Sequence, residues 1–444
     1  MSISYRDELK RKTVSADEAA SKVKSGDWLD YGFGLGQPDV IDAALAARIS
    51  KLERVKLRGC LALKPRAIVE ADPDGDHVNY ISWYFSGLER KMHDRGLCIH
   101  TPMNFGEAPD YYRRFIDVDV AVIKTAPMDE QGFFNFGPSI TYEKAITEKA
   151  KTVIVETDAN IPYVFGVETG VHIRDVDFVV DGGGHKLPEL INPPASEVDQ
   201  KVAQLIAPEV ENGACVQIGI GAMPNAVCEL LATSNVTDLG VHTEMFVDSI
   251  VSLYEAGKVT GAHKKNNLYQ MTYTFAAGSE RMYRFLDRNA ACFAGPVDYT
   301  NLPANIMQND KVISICNCAQ LDLTGQACSE TAGVRQISGT GGQLQFVRGA
   351  YASRGGKSFM CLASTYERHG HRASRIVARI DECNIVTTPR TDVMYVVTEF
   401  GMVNLKGKSV PERARALISI AHPDFREELE QQARDYKLIG KSIF

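Results

Sequence analysis

Apolar residues along the chain gather into short unbroken runs, separated by stretches in which they recur every three or four positions. VDVAVI (118–123), KTVIVE (151–156), VDFVVD (176–181), KVISIC (311–316) and MYVVTEF (394–400) are runs of the first kind. Their length and β-branched content predict strands covered on both faces, since a half-exposed strand would alternate. SADEAASKV (15–23), PDVIDAALAARISKL (38–52), EVDQKVAQLIAPEV (197–210) and PERARALISIA (411–421) carry the spacing of amphipathic helices. Strands and helices in alternation predict an α/β protein with open, mostly parallel sheets.

The same pattern occurs twice. A strand, a Gly-x-Gly turn and a helix in GDWLDYGFGLGQPDVIDAAL (26–45) return about 187 positions later in GACVQIGIGAMPNAVCELL (213–231). Farther on, VDVAVIKTAPMDEQG (118–132) returns as VISICNCAQLDLTGQ (312–326), which pairs Asp129 with Asp322 and Gly132 with Gly325. Two matches in one order at nearly one offset imply an internal duplication, two related α/β domains. The Gly- and Pro-rich GGGHKLPELINPPAS (182–196) reads as the linker. We therefore expect an N-terminal domain over 1–195 and a C-terminal domain over 196–444.

Composition narrows the function classes. The 444 residues suit two domains of roughly 200 each. A net charge of −7 leaves no basic footprint for nucleic acid or an anionic membrane. No apolar run reaches the roughly 18 residues of a spanning helix, and MSISYRDELKRK lacks the apolar core of a signal peptide, so a cytoplasmic protein is expected. Of ten cysteines, Cys60, Cys215, Cys228, Cys292 and Cys361 stand singly in apolar stretches, as buried reduced thiols do. Cys316 and Cys318 are two apart with no histidine cluster nearby in sequence, so no metal site is expected.

Three features carry candidate chemistry. In QIGIGAMPNAV a strand ends at Gly219, two glycines free the backbone and Pro224 opens a helix. Backbone N–H groups of such a turn suit an anion or a carbonyl oxygen; a dinucleotide site would need the G-x-G-x-x-G spacing, which is not completed here. A tight turn without ligand is the plainer alternative. Glu244, in LGVHTEMFVDS (239–249), follows the next expected strand, at the edge where ligands sit in open α/β sheets. The matching position of the first half, near Arg58–Cys60, has no carboxylate. A carboxylate attacks a thioester effectively when backbone donors hold the thioester oxygen, although most glutamates are simply surface groups. The run SGTGGQLQF (338–346) supplies a second loop rich in backbone donors, or a flexible connection.

With QIGIGAMPNAV, GVHTEMF, PVDYTN, LDLTGQ, SGTGGQLQFVRGA and VVTEFGMVNLKGKS in this order, the chain resembles the acetyl-CoA hydrolase/transferase family, and within it the 4-hydroxybutyrate and butyryl-CoA:acetate CoA-transferases. PMDEQGFFNFG and AHPDFREEL extend the resemblance over nearly the whole chain. It implies a class I CoA transferase and an oligomer, here a homodimer, that passes CoA between an acyl-CoA and a short-chain carboxylate. CoA is then substrate and covalent intermediate, with no permanently bound cofactor. The family's catalytic glutamate falls on Glu244, its CoA-contacting turn on Gly219, Ile220, Gly221, Ala222 and Met223, its oxyanion donors on Met223 and Gly342, and its loop-supporting asparagine on Asn301. Gln345 and Gln320 stand where many members carry Asp and Glu, and His369 where a CoA-contacting lysine often stands. With an ordinary pKa of about 6.5, His369 would meet a phosphate only when protonated. An acyl-CoA hydrolase using the same glutamate, a transferase for a dicarboxylate such as succinate or itaconate, and a regulatory ligand-binding module without chemistry are the alternatives.

Overall fold

The apolar runs become the strands of two sheets. The computed structural model describes residues 4–190, 193–219, 221–368, 370–380 and 382–440. The first sheet contains Trp28–Phe33 (β1), Val55–Cys60 (β2), Val78–Ser82 (β3), Cys98–His100 (β4), Val120–Thr125 (β5), Thr152–Thr157 (β6) and Phe178–Asp181 (β7), in the spatial order β4-β3-β2-β1-β5-β6-β7. Every neighbouring pair in it is parallel. All six residues of β5 are buried, as a strand covered on both faces requires.

The second sheet contains Cys215–Ile218 (β8), Gly240–Val241 (β9), Val312–Asn317 (β10), Lys357–Cys361 (β11), Tyr395–Thr398 (β12) and Gly401–Asn404 (β13), in the order β9-β8-β10-β11-β12-β13. Its pairs are parallel except β12 with β13, a hairpin at the edge. The order β2-β1-β5-β6 of the first sheet thus returns as β9-β8-β10-β11, so the duplication read from the sequence is a duplication of topology. Strand register carries it to single residues: Leu29 pairs with Val120 and Val216 with Ile313.

The two acidic turns are built alike. Asp129 Oδ1 accepts from the N–H groups of Gln131 (3.0 Å) and Phe133 (2.9 Å), and Asp322 Oδ1 from those of Thr324 (2.9 Å) and Gln326 (3.1 Å). Gly132 and Gly325 donate to the carbonyls of Asp129 and Asp322 with φ of +85° and +97°. That left-handed backbone explains why glycine stands at both places.

Two helices start where the sequence supplies reciprocal caps. Ser196 with Asp199 opens Glu197–Ile206 and Ser409 with Glu412 opens Val410–Ser419, each as a reciprocal capping box. Residues 182–190 and 193–196 form no helix or strand, in keeping with a linker. The chain packs as two compact units: Met1–Ile191 with Glu244–Asp248 and Thr272–Thr300, and Asn192–Thr243 with Ser249–Met271 and Asn301–Phe444. Among the described residues no helix is long and apolar enough to cross a membrane.

Candidate active site

In each sheet the chain leaves the first strand of the repeat (β1 or β8) towards opposite sides, so a crevice opens at the carboxyl ends of β1 and β5, and of β8 and β10. Ligands of open α/β sheets bind at such switch points. The two copies treat this crevice differently.

In the first copy the protein fills it. The Glu156 carboxylate, at the end of β6, accepts from the N–H groups of Asp39 (2.7 Å) and Ile41 (2.9 Å), at the start of helix Val40–Ala47. Glu143 accepts from Phe33 N–H at 2.8 Å, at the last residue of β1. Asp39 is bound in turn by Lys124 (2.5 Å) and Lys64 (2.6 Å). Burial raises the carboxyl pKa of Glu156 and pushes that of Glu143 up to about 7. Asp39, Asp158 and His185 bring three possible metal-ligand atoms within 4.8 Å of one another, but two ammonium groups already neutralise Asp39.

In the second copy the corresponding groups are missing. Lys124 faces Glu156 in the β5–β6 register, and Asn317 faces Cys361 in the β10–β11 register. By position Cys361 therefore stands for Glu156 and Asn317 for Lys124. The helix after the turn, Ala222–Thr233, begins at Gly221, which has no side chain to cap it. Its first-turn N–H groups have no partner within the helix. They border a cavity of about 210 Å³ lined by Ala222 and Met223, by Asn317, Cys361 and Leu362 at strand ends, and by Arg375.

The turn needs its glycines. Gly221 has φ +123°, and a Cβ at Gly219 would come 3.1 Å from the Ile315 carbonyl oxygen. Ile220 and His369 lie outside the described residues.

Gly342 is buried and is the N-cap of helix Gln343–Ala352, which leads into β11. Because that helix runs opposite to the parallel strands, its N-terminus lies at the carboxyl edge of the sheet, like that of Ala222–Thr233. The preceding loop is tethered at Glu330: its carbonyl accepts from Ile337 and Ser338 N–H, and its carboxylate from Thr387 Oγ1 (2.9 Å) and Thr340 Oγ1 (3.4 Å). Asn301 is fully buried at the end of helix Val297–Asn301. Among the described residues neither Gly342 nor Asn301 lines the cavity. Gln345 is buried in the same helix, and Gln320 Oε1 accepts from Asn384 at 2.8 Å.

Glu244 stands three residues beyond β9 and is half-buried. Its carbonyl accepts from Thr274 N–H (3.1 Å) and Phe275 N–H (3.3 Å), and the next two residues, Met245–Phe246, pair with Phe275–Ala276. The backbone that carries the carboxylate is therefore held at its own carbonyl and at the two residues that follow. Beside Phe275 the rings of Phe33 (4.7 Å) and Phe105 (6.2 Å) form an apolar wall. Sequence reasoning did not find Thr274, Phe275, Glu330 or the filling carboxylates. Apart from the loop bonds of Glu330 to Ile337, Ser338 and Thr340, these contacts join residues 30 to more than 100 positions apart, and no local motif announces them.

Comparison with known proteins agrees with this architecture. The acetyl-CoA hydrolase/transferase N-terminal domain matches residues 2–185 and the corresponding C-terminal domain residues 278–433. The chain belongs to the acetyl-CoA hydrolase/transferase family. It is 47% identical to a butyryl-CoA:acetate CoA-transferase of Anaerostipes caccae over 99% of this chain and 100% of that one. It is 37% identical to a 4-hydroxybutyrate coenzyme A transferase of Clostridium kluyveri over 95% and 96% of the two chains. Among solved structures, RipA from Yersinia pestis superposes with a TM-score of 0.91 at 37% identity, over 98% of this chain and 100% of that one.

Proposed function

We propose that the chain is an acyl-CoA:carboxylate CoA-transferase for short-chain acids of the acetate, butyrate and 4-hydroxybutyrate type, working through a glutamyl-CoA thioester on Glu244. The observation that carries the site is the contrast between the copies: one crevice is filled by the protein's own carboxylates, while the other opens on uncapped backbone N–H groups. Its volume of about 210 Å³ is below the roughly 300–1,000 Å³ that encloses a drug-sized ligand. It suits a narrow part of CoA, the pantetheine arm, rather than the nucleotide. The positive end of the helix dipole suits the amide carbonyl oxygens of that uncharged arm.

In this reading the Glu244 carboxylate attacks the thioester carbonyl. The N–H groups of Met223 and Gly342 hold the developing oxyanion, and buried Asn301 supports the loop that carries them. The C–S bond breaks, giving a mixed anhydride and CoA thiolate. The thiolate attacks the glutamyl carbonyl, expels the first acid as its carboxylate and leaves glutamyl-CoA. A second carboxylate runs the same steps in reverse, so one thioester is exchanged for another with little net free-energy change. No resident cofactor is needed, and the reading includes a cytoplasmic homodimer.

Product analysis with one labelled acyl-CoA and a panel of acids tests the activity. The expected product is the thioester of the added acid, with little free CoA when no acid is present. Equal release of CoA with and without acceptor would make the protein a hydrolase. The panel of acetate, butyrate, 4-hydroxybutyrate, succinate and itaconate also ranks the substrates.

A further inference from the structure

Lys264 is only 4% exposed and belongs to the second unit. Its stem lies against Gly240, where a Cβ would come 2.7 Å from the lysine Cγ and 3.1 Å from its Cδ. The ammonium donates to two backbone carbonyls, Val241 at 2.8 Å and Gln270 at 2.6 Å. Burial pushes the ammonium pKa down to about 8, with the Cys215 thiol beside it. Keeping a cation in such a place is costly, and a lysine in GAHKKNN would ordinarily extend into water.

The two carbonyls mark particular places in the chain. Val241 ends β9 three residues before Glu244. Gln270 stands four residues before Thr274, whose N–H binds the Glu244 carbonyl. The segments that lead to Glu244 and to its backbone partner are thus joined through one ammonium group before either passes into the first unit. We propose that Lys264 is a positioning residue for Glu244, fixing the strand end from which the carboxylate is presented. Gly240 is part of the device, because it leaves the channel through which the lysine stem reaches the carbonyls.

The inference rests on the glutamyl-CoA reading, and single-turnover loading of the full-length enzyme with acyl-CoA separates the two. Lys264→Met keeps the stem and removes the ammonium. It should load CoA about ten- to a hundredfold more slowly, the upper figure being that expected for a nucleophile displaced by about 1 Å. KM for acyl-CoA should stay near the parental value, and all folded molecules should eventually load. A merely structural lysine would reduce the number of loadable molecules and leave their rate constant alone, and that result overturns the proposal. Gly240→Ala retains the charge but displaces the stem; it should show the same slow loading, and it decides the matter if Lys264→Met does not fold. Parental rates in the folded variant overturn the positioning role, whereas a parent enzyme that never loads CoA overturns the Glu244 reading itself.

Discussion

Glu244→Asp should lose transferase activity on the order of a hundredfold, despite keeping a carboxylate. The change withdraws the nucleophile by about 1.5 Å, the length of one carbon–carbon bond, and a misplacement of about 1 Å costs on the order of a hundredfold. Backbone relaxation cannot make up the difference. The Glu244 carbonyl is bound by Thr274 and Phe275 N–H, and Met245–Phe246 are paired with Phe275–Ala276 immediately afterwards. The loss should appear in kcat and in the rate of CoA loading, with the melting temperature near the parental one, because Glu244 is half-buried and its backbone bonds survive. Full activity in Glu244→Asp would show that this carboxylate is not the nucleophile. Glu244→Gln should be measured fresh, since slow hydrolysis of the new amide would restore the parent.

Gly342→Val should cost about a hundredfold to a thousandfold in turnover, the usual loss when one oxyanion donor is removed. At φ −98° and ψ 5° the backbone of Gly342 lies outside the left-handed region, so the substitution introduces no left-handed strain. Its effect comes from a branched side chain beside the N–H group at a buried helix start. Thermal unfolding should change less than catalysis, since the strands of the second sheet are untouched. Ser338→Ala is the matched control: among the described residues its hydroxyl makes only a 3.4 Å bond to the neighbouring Gly339 carbonyl, and activity should stay close to the parental level. Parental rates of CoA loading in Gly342→Val would return the glycine run to the role of a connecting loop.

The fold was legible because its signals are local. Unbroken apolar runs named the strands, and the paired turns at Asp129 and Asp322 stand in the same hydrogen-bonding pattern. The glycine turn was legible for the same reason, since a strand end, a left-handed residue and a helix start follow one another within a few positions. The filling of the first crevice was not. Glu156 lies more than 100 positions from the helix start that it caps, and nothing in TVIVET distinguishes that carboxylate from a solvated one. Lys264 was hidden by its surroundings, because a lysine in a polar run looks exposed until its stem is seen against Gly240. The passage of 244–248 and 272–300 into the first unit also has no local signature, as both stretches follow the second strand of the later repeat.

The central claim is that CoA is carried covalently on Glu244, and intact-protein mass spectrometry of the full-length enzyme incubated with acyl-CoA and no acceptor tests it most directly. The expected result is a gain equal to the mass of CoA less one water, removed by adding a carboxylic acid and mapped, after borohydride reduction, to the peptide containing Glu244. An active enzyme with no such adduct, or an adduct on any other peptide, would contradict the claim.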